Sequence, residues 1–294
     1  MTEHIPVLLE EAIEKLRVRP GGTYVDCTVG TGGHAEKILE VSSPNGILIA
    51  IDRDNEALEI ARERLKRFDK RVNFFKRRFG ELDEILREAG AGSVDGFLFD
   101  LGISSVQIGN PERGFSYRLD GPLDMRMDQE CEFTAADLLN ELEVDELQQI
   151  IRAYGEERWS RRVARSIVQE KKRGRVASTG QLASVVRRSV GGKLAHKSLA
   201  RVFQALRIKV NNELEEITAG LDSALENTKK GGRIVVIAYH SLEDRIVKRR
   251  FLELSRGSTP TVKLITKKVI KPQEGELKAN KRSRSARLRA AEAV

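Results

Sequence analysis

Along the first hundred residues the apolar positions change period several times. Leu8, Leu9, Ala12, Ile13 and Leu16 recur at helical spacing, and Pro20-Gly21-Gly22 closes that helix. TYVDCTV (23–29) then reads as a strand, followed by a glycine loop and the helix HAEKILEV (34–41). ILIAID (47–52) is a continuous apolar run of strand length, and DNEALEIARERLKRF (54–68) behind it is an amphipathic helix. RVNFF, LDEILREAG and VDGFLFD repeat the alternation up to Asp100. Strand and helix alternating at this spacing imply right-handed crossovers and a mostly parallel sheet with helices on both faces, a doubly wound α/β fold.

The pattern then changes. LGISSVQIGNPERGFSYRLDGPLDMRMD (101–128) is rich in Gly, Pro, Asp and Ser, keeps neither period, and is expected to be a long ordered loop. From Thr134 to about Lys193 the sequence reads as helical throughout. Thr134-x-x-Asp137 has the spacing of a capping box, and Leu147, Ile150, Ile151 and Tyr154 form one stripe ahead of Gly155. A single long helix is expected over roughly 199–225. RIVVIAY (233–239) is another buried strand, and TVKLITKKVI (261–270) a late one. A helical insert therefore interrupts the α/β domain between its fourth and fifth strands. The division expected is 1–113 with 215–294 as the α/β domain and 114–214 as loop plus all-helical insert.

Charge sharpens this picture. The net charge of +8 is uneven: ten basic residues from Lys263 onward face only Glu274, Glu276 and Glu292, and eight between Arg158 and Arg175 face only Glu170. Two basic regions suggest a polyanionic partner, most simply nucleic acid, against the plainer reading of solvated surface. Arg158, Arg161, Arg162 and Arg165 are expected to line one helix face, with Trp159, Val163 and Ile167 on another arc facing the core. The two cysteines, Cys27 and Cys131, can build neither a disulfide framework nor a four-ligand zinc site, and the four histidines have no metal-ligand spacing. No bound metal is expected. The acidic amino terminus resembles no signal peptide and no segment is long enough to span a bilayer, so the chain is expected to be cytoplasmic and without a membrane partner.

The candidate chemistry lies in DCTVGTGGHA (26–35). Glycines at a strand-to-helix turn let backbone approach a ligand, and the amides opening the helix are free donors. Gly30-Thr31-Gly32-Gly33-His34-Ala35 also fits the dinucleotide fingerprint G-x-G-x-x-A, with Asp52 placed to take a ribose hydroxyl. The loop ends the first strand, Asp52 the second and Asp100 the fourth, while Phe79 follows the third, so all four meet at the carboxyl edge of the sheet. NAD(P) and S-adenosylmethionine compete for such an edge. The second uses more of these residues, with Asp52 on the ribose, Phe79 beside the adenine and Asp100 near the sulfonium. Three classes stay open on the residues alone: a methyltransferase, an NAD(P)-dependent oxidoreductase and a non-catalytic RNA-binding protein. His240, after the fifth strand, reads either as a base or substrate contact or as structural. Ser241-x-x-Asp244 has capping-box spacing. Arg113 and Arg118 read as RNA phosphate contacts or as part of a cofactor lid.

HIPVLLEE, DCTVGTGGHA, AIDRD, DLGISSVQI, RGFSYRLDGPLDMRMD, FQALRIKVNNEL, YHSLEDRIVK and NKRSRSARLRAAE together resemble the bacterial 16S ribosomal RNA cytosine-N4 methyltransferases, the RsmH or MraW group, nearly end to end. The resemblance implies a class I S-adenosylmethionine-dependent methyltransferase fold whose inserted helical domain recognises substrate. It further implies methyl transfer to N4 of a decoding-region cytidine in 16S ribosomal RNA, and cofactor residues at Gly32, Gly33, His34, Asp52, Phe79, Asp100 and Gln107. The expected substrate is a small-subunit particle; a homodimer is compatible with the sequence and not dictated by it. Carbon-5 methylation, which needs a cysteine nucleophile in a Pro-Cys setting, is disfavoured because neither cysteine follows proline. The D/N-P-P-Y/F turn of many amino-methyltransferases is replaced by Asp100-Leu101-Gly102-Ile103, so no catalytic residue is assigned.

Overall fold

A computed structural model describes residues 5–192, 195–256 and 258–294. His4 of the amino-terminal motif and Lys193 lie outside them. In chain order the elements begin α1 (Leu9–Leu16), β1 (Thr23–Asp26), α2 (Gly33–Val41), β2 (Ile47–Asp52), α3 (Asn55–Leu65), β3 (Val72–Lys76), α4 (Leu82–Glu88) and β4 (Val94–Asp100). Among the described residues the α-helices α5 (Ser105–Gly109), α6 (Ala135–Glu141), α7 (Val144–Gly155), α8 (Ser160–Lys171), α9 (Thr179–Val190) and α10 (Ala195–Asn211) follow. The chain then returns through α11 (Glu213–Glu226), β5 (Thr228–Ala238), α12 (Ser241–Leu254), β6 (Val262–Leu264), α13 (Glu274–Ala279) and β7 (Arg287–Ala293).

Two compact units result, Met1–Gly102 with Leu214–Val294, and Ile103–Glu213. The sequence expectation put the first boundary eleven residues later, after Arg113. The chain joins the second unit earlier because Arg113 is buried there, its guanidinium donating to the carbonyls of Arg126 (3.2 Å) and Met127 (3.0 Å). A side chain held this way is structural, which removes Arg113 as a phosphate contact; Arg118 is exposed.

The first unit is a seven-stranded sheet in the order β3-β2-β1-β4-β5-β7-β6. The five strands β1 to β5 pair in parallel, and β7 runs antiparallel between β5 and β6. Side chains alternate across the sheet. Leu48, Ala50, Leu98, Val235 and Ile237 pack with α1, α2 and α3 on one face, while Ile49, Ile51, Phe97, Phe99, Ile234 and Val236 pack with α4, α11 and α12 on the other. Both faces are therefore buried, which is why the strands read as unbroken apolar runs.

The closing segment corrects the sequence reading. The run expected as a late strand is a strand only at Val262–Leu264, and part of the basic tail is instead β7. Leu288 and Ala290 face one core and Ala291 the other. Arg289 donates from Nε to Asp244 Oδ1 (2.6 Å) and Arg287 from Nη1 to Asp244 Oδ2 (3.3 Å). Two of the ten basic groups thus staple β7 to α12 rather than stand free.

The second unit is helical. Its core joins Leu123, Met125 and Met127 of the irregular segment to Leu147, Ile151, Val163, Ile167, Leu182, Val186, Val202 and Leu206. Asn211 ties that segment down, accepting from Met127 N (2.8 Å) and donating to Met125 O (2.8 Å). Thr134 and Asp137 form the expected capping box of α6, and α7 ends at Gly155. The long helix expected over 199–225 is two, broken where Asn212 takes φ 50°, next to the bidentate pair of Arg207 with Glu213 (2.8 and 2.9 Å).

Burial pushes the Asp244 carboxyl up, but Arg289 and Arg287 outweigh it and leave its pKa below the ordinary value. Its stabilising contribution is therefore present above about pH 4 and is lost as pH falls through the depressed folded value. Asp244→Ala should destabilise the protein by about 2 to 3 kcal/mol at pH 7, the scale of charged hydrogen bonds lost at a partly buried site. The urea-unfolding midpoint measures this, and the deficit should shrink toward pH 3.

Candidate active site

The carboxyl ends of β1, β2 and β4 bring Asp26, Asp52 and Asp100 to one edge, since β1 pairs with both β2 and β4 in parallel. Asp52 is held by backbone amides: Gly30 N donates to Oδ2 (2.9 Å) and Asp54 N to Oδ1 (3.0 Å). Burial raises its pKa while these two amides oppose the rise. A carboxylate has about four acceptor positions, so two remain for a ligand.

Asp26 sits immediately before the glycine loop and is 1% exposed. Thr28 N donates to its Oδ1 (3.2 Å), but Oδ2 has no hydrogen-bond partner. Burial pushes its pKa up to about 8, and the nearby Asp100 and Asp52 charges add to the rise. Asp100 is pushed to about 7, again chiefly by burial, against a hydrogen bond from the Tyr239 hydroxyl (2.7 Å). Its backbone N donates to Thr28 Oγ1 (2.6 Å). Three acids thus meet at one edge, two of them with pKa values raised toward neutrality.

The loop glycines have distinct jobs. Gly32 takes φ 83°, the left-handed region that L side chains avoid, and leads directly into α2. Gly33 is required by packing: an added Cβ would lie 2.3 Å from Pro6 Cγ. His34 is buried beneath the loop, its Nε2 3.0 Å from the Val7 carbonyl and its Nδ1 3.6 Å from Asp100 Oδ2. Burial lowers its pKa to about 4, so it is neutral at pH 7, with Nε2–H donating to Val7 O. Phe79 is half-buried at the start of a short turn after β3, its ring edge-on to Phe99 with centroids 5.6 Å apart.

Gln107 belongs to the second unit. It is the third residue of the α5 capping box, where Ser104 N donates to its Oε1 (3.0 Å) and Gln107 N donates to Ser104 Oγ (3.2 Å). The sequence reading missed Asp26 and Tyr239 as site residues, although Asp26 stands in the motif itself. It also misplaced the α12 cap. His240, one residue earlier than Ser241, is the N-cap, and Glu243 accepts from Tyr239 N (2.8 Å) and His240 N (3.2 Å). Asp244 is instead the anchor of β7.

In the second unit Arg161, Arg162 and Arg165 are exposed on α8, opposite buried Val163 and Ile167. Arg158 and Trp159 precede the helix. Trp159, expected in the core, is 39% exposed, and the Arg158 guanidinium lies 5.0 Å from its ring centroid. No helix among the described residues is long and apolar enough to cross a membrane.

The sequence pattern of the MraW methylase family matches residues 1–294. A relative from Symbiobacterium thermophilum, named ribosomal RNA small subunit methyltransferase H, is 45% identical over 98% of this chain and 95% of its own. A relative of the same name from Geotalea daltonii is 46% identical over 99% of each. Among solved structures that of PH0851 superposes with a TM-score of 0.50 at 14% identity, covering 97% of this chain and 45% of that one, a likeness of fold alone.

The raised Asp26 pKa fixes the sign of a stability effect. The folded protein keeps a proton that the unfolded chain releases near pH 4, so this contribution is complete below that pH and is lost as pH rises toward about 8. Without ligand, the urea midpoint should fall between pH 5 and pH 8, and Asp26→Asn should flatten the fall. An equal slope in the variant would mean that Asp26 is already ionised.

Proposed function

From the premise that the chain belongs to the MraW methylase family, we propose that it transfers a methyl group from S-adenosylmethionine to the exocyclic N4 of a decoding-region cytidine in 16S ribosomal RNA. Its fold is that of the class I methyltransferases, with a mostly parallel sheet in the order given above. The observation that carries the reading is the convergence of Asp26, Asp52 and Asp100 beside the glycine loop. The family match over the whole chain sets aside a nicotinamide enzyme, and a purely RNA-binding role leaves this acidic edge without purpose.

The residues present fit the cofactor. Asp26 Oδ2, buried and without a hydrogen-bond partner, suits a ligand that brings donors and positive charge. Asp52 keeps two acceptor positions for the ribose hydroxyls, Phe79 offers a flat apolar wall for adenine, and Asp100 suits the cationic end. Gly32 supplies a close backbone approach, while Gly33 and His34 hold the loop against Pro6 and Val7. Gln107 stays in the set on the family resemblance. Once bound, S-adenosylmethionine supplies an electrophilic methyl group on a positively charged sulfur.

The remaining work falls to the protein. The N4 lone pair is delocalised into the cytosine ring, so the nitrogen must be oriented and must lose a proton. No cysteine nucleophile is needed. Cys27 is buried with its thiol pKa pushed well up by desolvation, which makes it a poor nucleophile. Asp100, pushed to about 7, is close to the right range to hold a proton, but its hydrogen bond from Tyr239 and its place in the acid cluster suit it first to the cofactor. The helical unit is read as the substrate-recognition domain acting on a small-subunit particle in the cytoplasm. Its exposed Arg161, Arg162 and Arg165, which have no ion-pair partner among the described residues, are read as RNA phosphate contacts.

Asp52→Ala should weaken S-adenosylmethionine binding by about a hundredfold or more, the scale of two charge-assisted hydrogen bonds of about 1.5 to 3 kcal/mol each. Titration calorimetry on the folded variant measures this. An unchanged affinity would remove Asp52 from the site and this reading of the edge with it.

A further inference from the structure

The helical unit holds a half-open surface pocket of about 240 Å³ lined by Glu157, Arg158, Trp159, Lys197, Ser198 and Arg201. It is smaller than the ~300–1,000 Å³ usual for drug-sized ligands, and so suits something the size of one nucleotide unit. Its composition is unusual for a surface depression. Trp159 is the single tryptophan of the chain and, among the lining residues, is 39% exposed as a whole. Arg158 lies over the indole at 5.0 Å, and Lys197 and Arg201 bring two further exposed cations.

The cavity is braced from beneath. Glu157 is 1% exposed, yet both of its oxygens are used: Trp159 N donates to Oε1 (2.9 Å), and Arg201 Nη1 lies 3.5 Å from Oε2. One buried carboxylate therefore fixes the backbone that carries the indole and the guanidinium across the cavity from it. With Glu157 offset by Arg201, Arg158 and Lys197 leave the lining positively charged. An aromatic surface bordered by cations is the arrangement that holds single-stranded nucleic acid, where the base stacks and the cations follow the phosphates. A purely apolar partner would leave the cations unmatched, and an acidic peptide would leave the indole without a stacking partner.

We propose that this pocket binds one nucleotide of the single-stranded RNA substrate, its base stacked on Trp159 and its flanking phosphates held by Arg158 and Lys197. Glu157 is a positioning residue for that site. The inference rests on the reading of the chain as an RNA enzyme, and it adds a base-holding site within the helical unit to the phosphate contacts of α8. Such a site anchors one nucleotide of the substrate strand at a fixed place on the recognition unit.

The test uses the full-length protein and a hexacytidylate labelled at its 3′ end. Fluorescence anisotropy reports binding, and tryptophan emission, which comes from Trp159 alone, reports stacking. Emission should be quenched saturably over the same concentrations that raise the anisotropy. Trp159→Ala should weaken binding by about 5- to 150-fold, the range of one base–aromatic stack. Trp159→Phe, which keeps a stacking face, should bind within about threefold of the unaltered protein. Anisotropy that rises while emission and the Trp159→Ala affinity stay unchanged would overturn the base site and leave the RNA reading standing. Quenching by hexaglutamate with none by the RNA would give the cavity to an acidic protein segment. No anisotropy change at all would likewise overturn the base site, while methyl transfer to the small-subunit particle tests the RNA reading separately.

Discussion

The arrangement on which the rest of this structure depends is the gathering of three carboxyl groups, Asp26 buried and Asp52 and Asp100 half-buried, at the carboxyl edge of a parallel sheet. Asp26, Asp52 and Asp100 are brought together by register, and they sit where like charges repel and water is scarce. The protein meets that cost partly by keeping protons, with Asp26 pushed to about 8 and Asp100 to about 7. It meets the rest with backbone donors: Gly30 and Asp54 amides on Asp52, and Thr28 on Asp26. An edge built this way is less stable alone than with a cation beside it, which is the sense in which it is prepared for a ligand.

The scaffold around that edge keeps it fixed. Asp100 is held twice, by Tyr239 through its side chain and by Thr28 through its backbone amide. The glycine loop is pinned by Pro6 against Gly33 and by His34 on Val7. Toward the far side of the sheet β7 lies between β5 and β6, and its arginines close on Asp244 of α12. The helical unit has its own core, its own caps and a pocket braced by Glu157.

Much of this was legible in the residues. The strands that end in Asp52 and Asp100 were marked by continuous apolar runs, and the Thr134 capping box and Gly155 stop by local chemistry that tertiary packing did not override. What escaped had physical reasons. In β7, Arg287, Arg289 and Glu292 mask an alternation carried by one Leu and several Ala, so a buried strand reads as a charged tail. The helix break at Asn212 is accompanied by the Arg207–Glu213 pair, a contact with no periodic signature. Arg113 is buried on two carbonyl oxygens supplied by residues thirteen and fourteen positions away, which no composition rule announces. Trp159 looked like core because it is large and apolar, but it stands one residue before α8 and escapes the helical phase that buries Val163. Asp26 was visible as an acid beside the glycines; that it would be both buried and protonated follows only from the neighbouring strands.

The central claim is that this acidic edge receives the cationic cofactor. Calorimetric titration with S-adenosylmethionine from pH 5.5 to 8.5, in two buffers of different ionisation enthalpy, tests it most directly. A positive ligand favours ionised Asp26 and Asp100, so affinity should rise with pH through about 7 to 8, with net release of protons to the buffer. Affinity that is flat across this range, with no proton exchange, would contradict the account.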